Sequence, residues 1–185
     1  MLVVQRVAVG DFLVSGQAIG EVWSGGEAPE LDGLRSDFRL ASERTLAADV
    51  AFPVRQLADI ALKALSPGIN DPTTAENAMG SLADTLVRLA GDDPVNGVRV
   101  DEEGEPRLCA EAISLDALVR LGFEQVRRST EGEPVLADRL ETLLLEIGRS
   151  AREAGGSSDE TERQRALLAG ARPAREEAGA HRPVG

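Results

Sequence analysis

Apolar residues recur at three- and four-residue steps in four separate stretches of the chain. Val54, Leu57, Ile60, Ala61, Ala64 and Leu65 form one stripe, with Gln56, Asp59 and Lys63 on the other side, which is the period of an amphipathic helix beginning near Pro53. Ala75, Met79, Leu82, Leu86 and Leu89 form a second, predicting a helix from about Pro72 to Ala90. Leu115, Leu118, Val119 and Val126 follow Ser114, a candidate N-cap. Val135, Leu136, Leu140, Leu143, Leu144 and Ile147 follow Pro134, which suits a helix start. Asp59–Lys63 and Asp84–Arg88 place an acid four residues ahead of a base, and Arg127 and Arg128 suit a helix C-terminus. Asp159–Glu162 offers capping-box spacing for a short fifth helix to about Ala169. The rest, to Gly185, reads as disordered.

The first 23 residues carry a different pattern. Val7 and Val9 alternate with Arg6 and Ala8, Gly10-Asp11 marks a turn, and Phe12-Leu13-Val14 resumes before Ser15-Gly16 turns again. Ile19, Val22 and Trp23 close this β segment, which resembles half of a barrel-sandwich module of the lipoyl or biotinyl type but reads more simply as a generic set of short strands. Residues 24–36 are turn-rich and read as a linker, and Phe38 and Leu40 suggest another short strand. Val98–Val100 and Arg107–Cys109 can pair as a hairpin around the acidic run 101–105. That run lacks the alternating ligand spacing of an EF-hand loop, so it reads as a solvated turn. The expected fold is α+β and mainly α: a short N-terminal β segment, then a four- or five-helix bundle with a small β-hairpin insertion. The expected domain organisation is a β segment and linker over 1–40, a helical domain over 41–153 with the hairpin near 95–110, and a terminal helix and tail over 154–185.

Between the first two helices lies Ser66-Pro67-Gly68-Ile69-Asn70-Asp71-Pro72-Thr73-Thr74. The residue before a proline is pushed out of the helical region, so Ser66-Pro67 should stop the first helix, with Gly68 left-handed. Asp71 is an N-cap candidate, Pro72 fits the first helical position, and Asn70 can fix the turn through its own backbone. One reading is a capped corner and nothing more. The other puts Ser66, Asn70, Asp71, Thr73 and Thr74 in a polar pocket for a ligand or partner segment.

Composition removes several chemistries. The chain's net charge is −12, and nearly all of it falls in residues 25–151, which hold 24 acidic and 13 basic side chains; a surface of that sign repels phosphate backbones and anionic lipid, so no nucleic-acid partner is expected. The longest apolar runs fall far short of the about 18 residues that span a bilayer, so direct membrane insertion by this chain is not expected either. No signal-peptide pattern is visible at the N-terminus. The single Cys109 allows no internal disulfide, which fits a reducing compartment and a cytoplasmic location for the chain as it stands. The lone His181 leaves no His-based triad and no Cys/His zinc site. Lys63 is the only lysine; it lies within a helix, so it neither serves a P-loop nor sits on a tight turn to carry a prosthetic group. No cofactor and no metal are expected. Aromatic residues are 3% of the chain, so the core must rest on Leu, Val, Ile and Ala.

Arg44-Thr45, Asp49, Phe52, Gln56-Leu57, Asp59-Ile60-Ala61, Ala64 through Pro72, and Thr74-Ala75 together resemble domain of unknown function family 2254, an uncharacterised group of bacterial predicted membrane proteins. Gly10-Asp11-Phe12 and Gly16-Gln17 fit the same family, and the likeness covers roughly residues 5–150. The resemblance implies several N-terminal transmembrane helices followed by a soluble region, within which this chain begins. It is then a fragment, a truncated reading frame or a soluble paralogue. The resemblance also implies association with the bacterial inner membrane, and it implies no reaction.

Two functional readings follow. The first is a non-enzymatic soluble domain serving in assembly, gating or regulation, as a homo-oligomer or beside a membrane-embedded partner. The second is a ligand-binding or hydrolytic site built from Arg44, Asp49, Asp59, Ser66, Asn70, Asp71 and Thr73. Paired carboxylates could supply acid–base chemistry and Arg could hold an anionic substrate. A buried ion-pair network of Arg44, Asp49 and Asp59 is the structural alternative to that site.

Overall fold

A computed structural model describes residues 1–26, 31–46, 49–91, 97–130, 133–154 and 180–184. They form a mixed α+β structure, mainly helical, in two units. Residues 1–44 and 95–112, with the C-terminal segment, make a sheet unit, and residues 45–94 and 113–156 make a helical unit.

In the sheet unit, β1 (Leu2–Gln5), β2 (Gly20–Ser24), β3 (Val98–Val100), β4 (Pro106–Cys109) and β5 (Ala180–Val184) lie in the order β3-β4-β1-β2-β5. β1 is antiparallel to β2, with Val3 opposite Val22, and parallel to β4, with Val3 opposite Leu108. Successive strand residues face opposite ways. Val3 therefore packs with Val22 and Leu31 on one face, while Val4 packs with Val98 and Cys109 on the other. The expected hairpin forms as β3 and β4, with a bulge between Arg99 and Val100. It joins β1 edge to edge, so the chain leaves the sheet after β2 and returns some seventy residues later.

Four expectations are corrected here. Residues 6–19 contain no strand; they are two glycine turns that present Phe12 to solvent. The linker over 24–36 contains a short helix, α1 (Asp32–Asp37), preceded by the buried Leu31. Phe38 and Leu40 are in no strand; Phe38 instead closes the end of α1, its amide donating to the Arg35 carbonyl at 3.3 Å. The stretch read as a disordered tail ends in β5, antiparallel to β2. The helix expected from Asp159 to about Ala169 falls outside the described residues.

The helical unit holds α2 (Ala51–Ala64), α3 (Pro72–Gly91), α4 (Leu115–Ser129) and α5 (Pro134–Glu153). α2 packs on α3 and α4, and α3 also packs on α5 and α4. Its core is Val54, Ala58, Ala61, Met79, Leu82, Leu86, Leu118, Phe123, Val126, Leu136, Leu140, Leu143 and Ile147, with neighbouring alanines. Each fully buried Leu or Met contributes about 1.5–3 kcal/mol. The α2 face differs from the expected stripe: Val54, Ala58, Ala61 and Ala64 point inward, while Ile60 is 48% exposed. Small residues win the inner positions because α3 and α4 both press on this helix. Ser114 caps α4 as expected, its Oγ accepting from the Ala117 amide at 3.2 Å. Thr130 closes the other end, buried, donating through Oγ1 to the Arg127 carbonyl at 2.8 Å.

Candidate functional site

The corner between α2 and α3 is built almost wholly from its own backbone. α2 ends as the Leu65 amide donates to Ala61 O at 3.0 Å and the Ser66 amide to Lys63 O at 3.2 Å. The Ser66 hydroxyl donates to the same Lys63 carbonyl at 2.7 Å, satisfying a group that the helix end would leave open. Ser66 O then accepts from the amides of Ile69 (3.0 Å) and Asn70 (2.9 Å). The Asp71 amide reaches back to Ala64 O at 2.9 Å and ties the start of α3 to the end of α2.

The reversal of hand falls on Asn70, with φ of 48°, and not on Gly68. The turn closed on Ser66 O runs through Gly68 to Asn70 before the chain swings, so the left-handed position arrives two residues later than expected. Asn tolerates that region better than most residues. Asp71 is the cap of α3: Oδ1 accepts from the Thr74 amide at 3.0 Å and Oδ2 from the Thr74 hydroxyl at 2.6 Å. The Thr74 hydroxyl above all, then the Thr74 and Thr73 amides, hold the Asp71 carboxyl below its usual range.

Asp49 is buried, and its Oδ1 accepts from the Phe52 amide at 3.1 Å. It therefore caps α2 from one residue ahead of Val50, which stands next to the helix. Asp59 is exposed on α2 and pairs with Arg55 at 2.9 Å, where the charge order had suggested Lys63. Such an exposed pair contributes little to stability. Arg44 is exposed in the sheet unit. Of the seven sequence-selected residues, Ser66, Asn70, Asp71 and Thr73 share one corner, Asp59 lies on α2, Asp49 lies just ahead of it, and Arg44 is exposed. Asp59 on an open surface cannot belong to a buried ion-pair network.

Two features escape sequence reasoning. Asp101 holds the acidic turn together: Oδ1 accepts from the Glu105 amide at 2.8 Å and the Glu103 amide at 3.1 Å, and Arg107 pairs with Oδ2 at 2.6 Å. The Glu105 amide foremost, then Arg107, lowers the Asp101 carboxyl. A cleft of about 180 Å³ in the sheet unit is lined by Gln5, Val9, Arg99, Leu108 and Glu111 among others. The parallel pairing of β1 with β4 creates it, and no local signal encodes that pairing. Among the described residues no group of His, Cys, Asp and Glu is placed to hold a metal ion.

These units define a mixed α+β protein with a capped polar corner, and no helix among the described residues is long and apolar enough to cross a membrane. The chain belongs to the DUF2254 family of predicted membrane proteins, which matches residues 1–146. It is 35% identical over 150 residues to uncharacterized proteins of Mycobacterium bovis and of two Mycobacterium tuberculosis strains. The match takes in 77% of this chain and 28% of each relative, so the chain spans under a third of the length of these relatives. No solved structure matches it.

Proposed function

We propose that this chain is a non-enzymatic domain of a membrane protein system, serving in assembly, gating or regulation beside a membrane-embedded part. One observation carries the reading. A chain of the predicted-membrane-protein family, matching 28% of its longer relatives, has no helix able to cross a bilayer among its described residues. The corner supports it from the chemical side, since Ser66 and Asp71 direct polar side-chain atoms to helix ends and the Thr74 hydroxyl is engaged by the Asp71 carboxylate. Groups engaged in capping are poorly placed to act on a substrate as well.

The test is the mass of the full chain in solution, with a thermal-shift screen against metabolites and metal ions. A defined oligomer without stabilising ligands is the expected result. A strict monomer stabilised by a small molecule, with the effect lost in a folded Asn70→Ala variant, would replace this reading with a ligand-binding or hydrolytic one. The one observation that favours that alternative is Asn70 itself, an exposed side chain on a left-handed backbone.

A further inference from the structure

The ladder between β1 and β2 fixes which way β2 turns its hydrogen-bonding groups. The Arg6 amide donates to Ile19 O at 2.9 Å, and the same register continues as Val4↔Glu21 and Leu2↔Trp23. Bonded pairs in an antiparallel ladder recur at every second residue. Glu21 and Trp23 therefore bond to β1, while Gly20, Val22 and Ser24 turn their amides and carbonyls to the opposite side. There lies β5, in register as Gly20↔Val184, Val22↔Arg182 and Ser24↔Ala180. Pro183 stands opposite Glu21, at the alternate position, where an amide would point out of the sheet and a proline has none. β5 thus closes the β2 edge and presents an interrupted edge of its own. The far edge is blunted by other means, since β3 has three residues and a bulge.

We infer that β5 is a guard strand, and that the edge it covers pairs with β2 of a second copy when β5 is displaced. Gly20–Ser24 is a regular strand without Pro, Lys or Arg, the kind of edge that templates another strand. It is also self-complementary about Val22. Antiparallel pairing of two copies centred there sets Val22 opposite Val22 and Gly20 opposite Ser24, so outward-turned residues meet outward-turned residues throughout. Glu21, the only charged residue of β2, then faces Trp23 of the second copy and not another Glu21. β5 lies outside residues 1–146, the part that the family matches, and the strands within that part end on an open β2 edge. The inference goes beyond the assembly reading, because an oligomer of the full chain must use other surfaces while this edge is closed.

The experiment follows solution mass and amide exchange against protein concentration, for the unaltered chain and for Arg182→Pro, which removes a ladder donor from β5. The expected result is a concentration-dependent doubling of mass in Arg182→Pro. It should be at least about tenfold tighter than in the unaltered chain, whose affinity is cut to the fraction of molecules with an open edge. The Val22 and Ser24 amides of the variant should exchange fast when dilute and slowly when concentrated, and slowly at both in the unaltered chain. A synthetic peptide of residues 178–185 should return the variant to the mass of the unaltered chain. Adding Trp23→Glu, which sets like charges opposite each other across the new pair, should do the same. An unchanged mass, or a doubled mass with those amides still fast, overturns the inference. A chain ending at Gly179 is the second variant; if both variants lose slow exchange at Val4, β5 is a folding element and the inference falls. A defined oligomer of the unaltered chain without any of these changes keeps the assembly reading and removes this one.

Discussion

A Cβ atom at Gly122 of α4 would lie 2.9 Å from Cδ2 of Leu82 in α3, and 3.3 Å from Cγ1 of Val54 in α2. Three helices meet at a point where only a hydrogen fits. Leu82 and Val54 are both fully buried and have no free space to yield into. Gly122→Leu should therefore destabilise the helical unit by about 1–3 kcal/mol through overpacking. Gly122→Ala should cost less, because alanine recovers about 1 kcal/mol of helix propensity. Urea unfolding of the two variants distinguishes them; equal midpoints would show that α4 can slide away.

The same contact predicts coupling. Leu82→Ala alone should cost about 2–5 kcal/mol by leaving a cavity. Combined with Gly122→Leu, the loss should fall below the sum, since the new side chain occupies the vacated space. A double-mutant cycle in urea measures this, and simple additivity would contradict the packing described.

At the corner, backbone conformation and side chain can be separated. Asn70→Gly should leave stability unchanged or slightly raised, because glycine adopts φ of 48° without a steric penalty. Asn70→Val should cost about 1–2 kcal/mol, since its branched Cβ opposes the left-handed region. Thermal unfolding decides the order. If glycine is as damaging as valine, the Asn70 side chain itself is needed.

Asp71 sets a pH dependence with a definite sign. Its carboxyl is lowered in the folded chain, chiefly by the Thr74 hydroxyl. Its stabilising contribution is thus fully present above the ordinary carboxylate range and is lost as pH falls through the lowered folded value. Asp71→Ala should lower the thermal midpoint at neutral pH, and its gap from wild type should narrow on acidification. A gap independent of pH would mean that capping does not depend on the charge.

In the sheet unit, Gly20 faces the Val4 carbonyl, and an added Cβ would come within 2.7 Å of that oxygen. The obstacle is backbone, so Gly20→Ala should disturb the β1–β2 register and speed hydrogen exchange at Val3 and Val22. Unchanged exchange there would show that the strands can spread without losing their pairing.

Much of the helical unit was legible because helices are local. The leucine stripes of α3 and α5, the Ser114 cap and the Asp84–Arg88 pair (3.0 Å) all follow from spacing alone. Of the corner, Asp71 and Pro72 could be read for the same reason. By itself the sequence determined the helical class, the four long helices, the hairpin, the acidic surface and the family. Tertiary structure decided what depends on distant partners. It chose which face of α2 turns inward, because α3 and α4 accept alanines there and not Ile60. It attached the hairpin to β1, a parallel pairing whose two strands lie a hundred residues apart. It also left Phe12 in water, since β1 and β2 close their ladder without the residues between them, and local alternation carries no information about where a sheet finds its next strand.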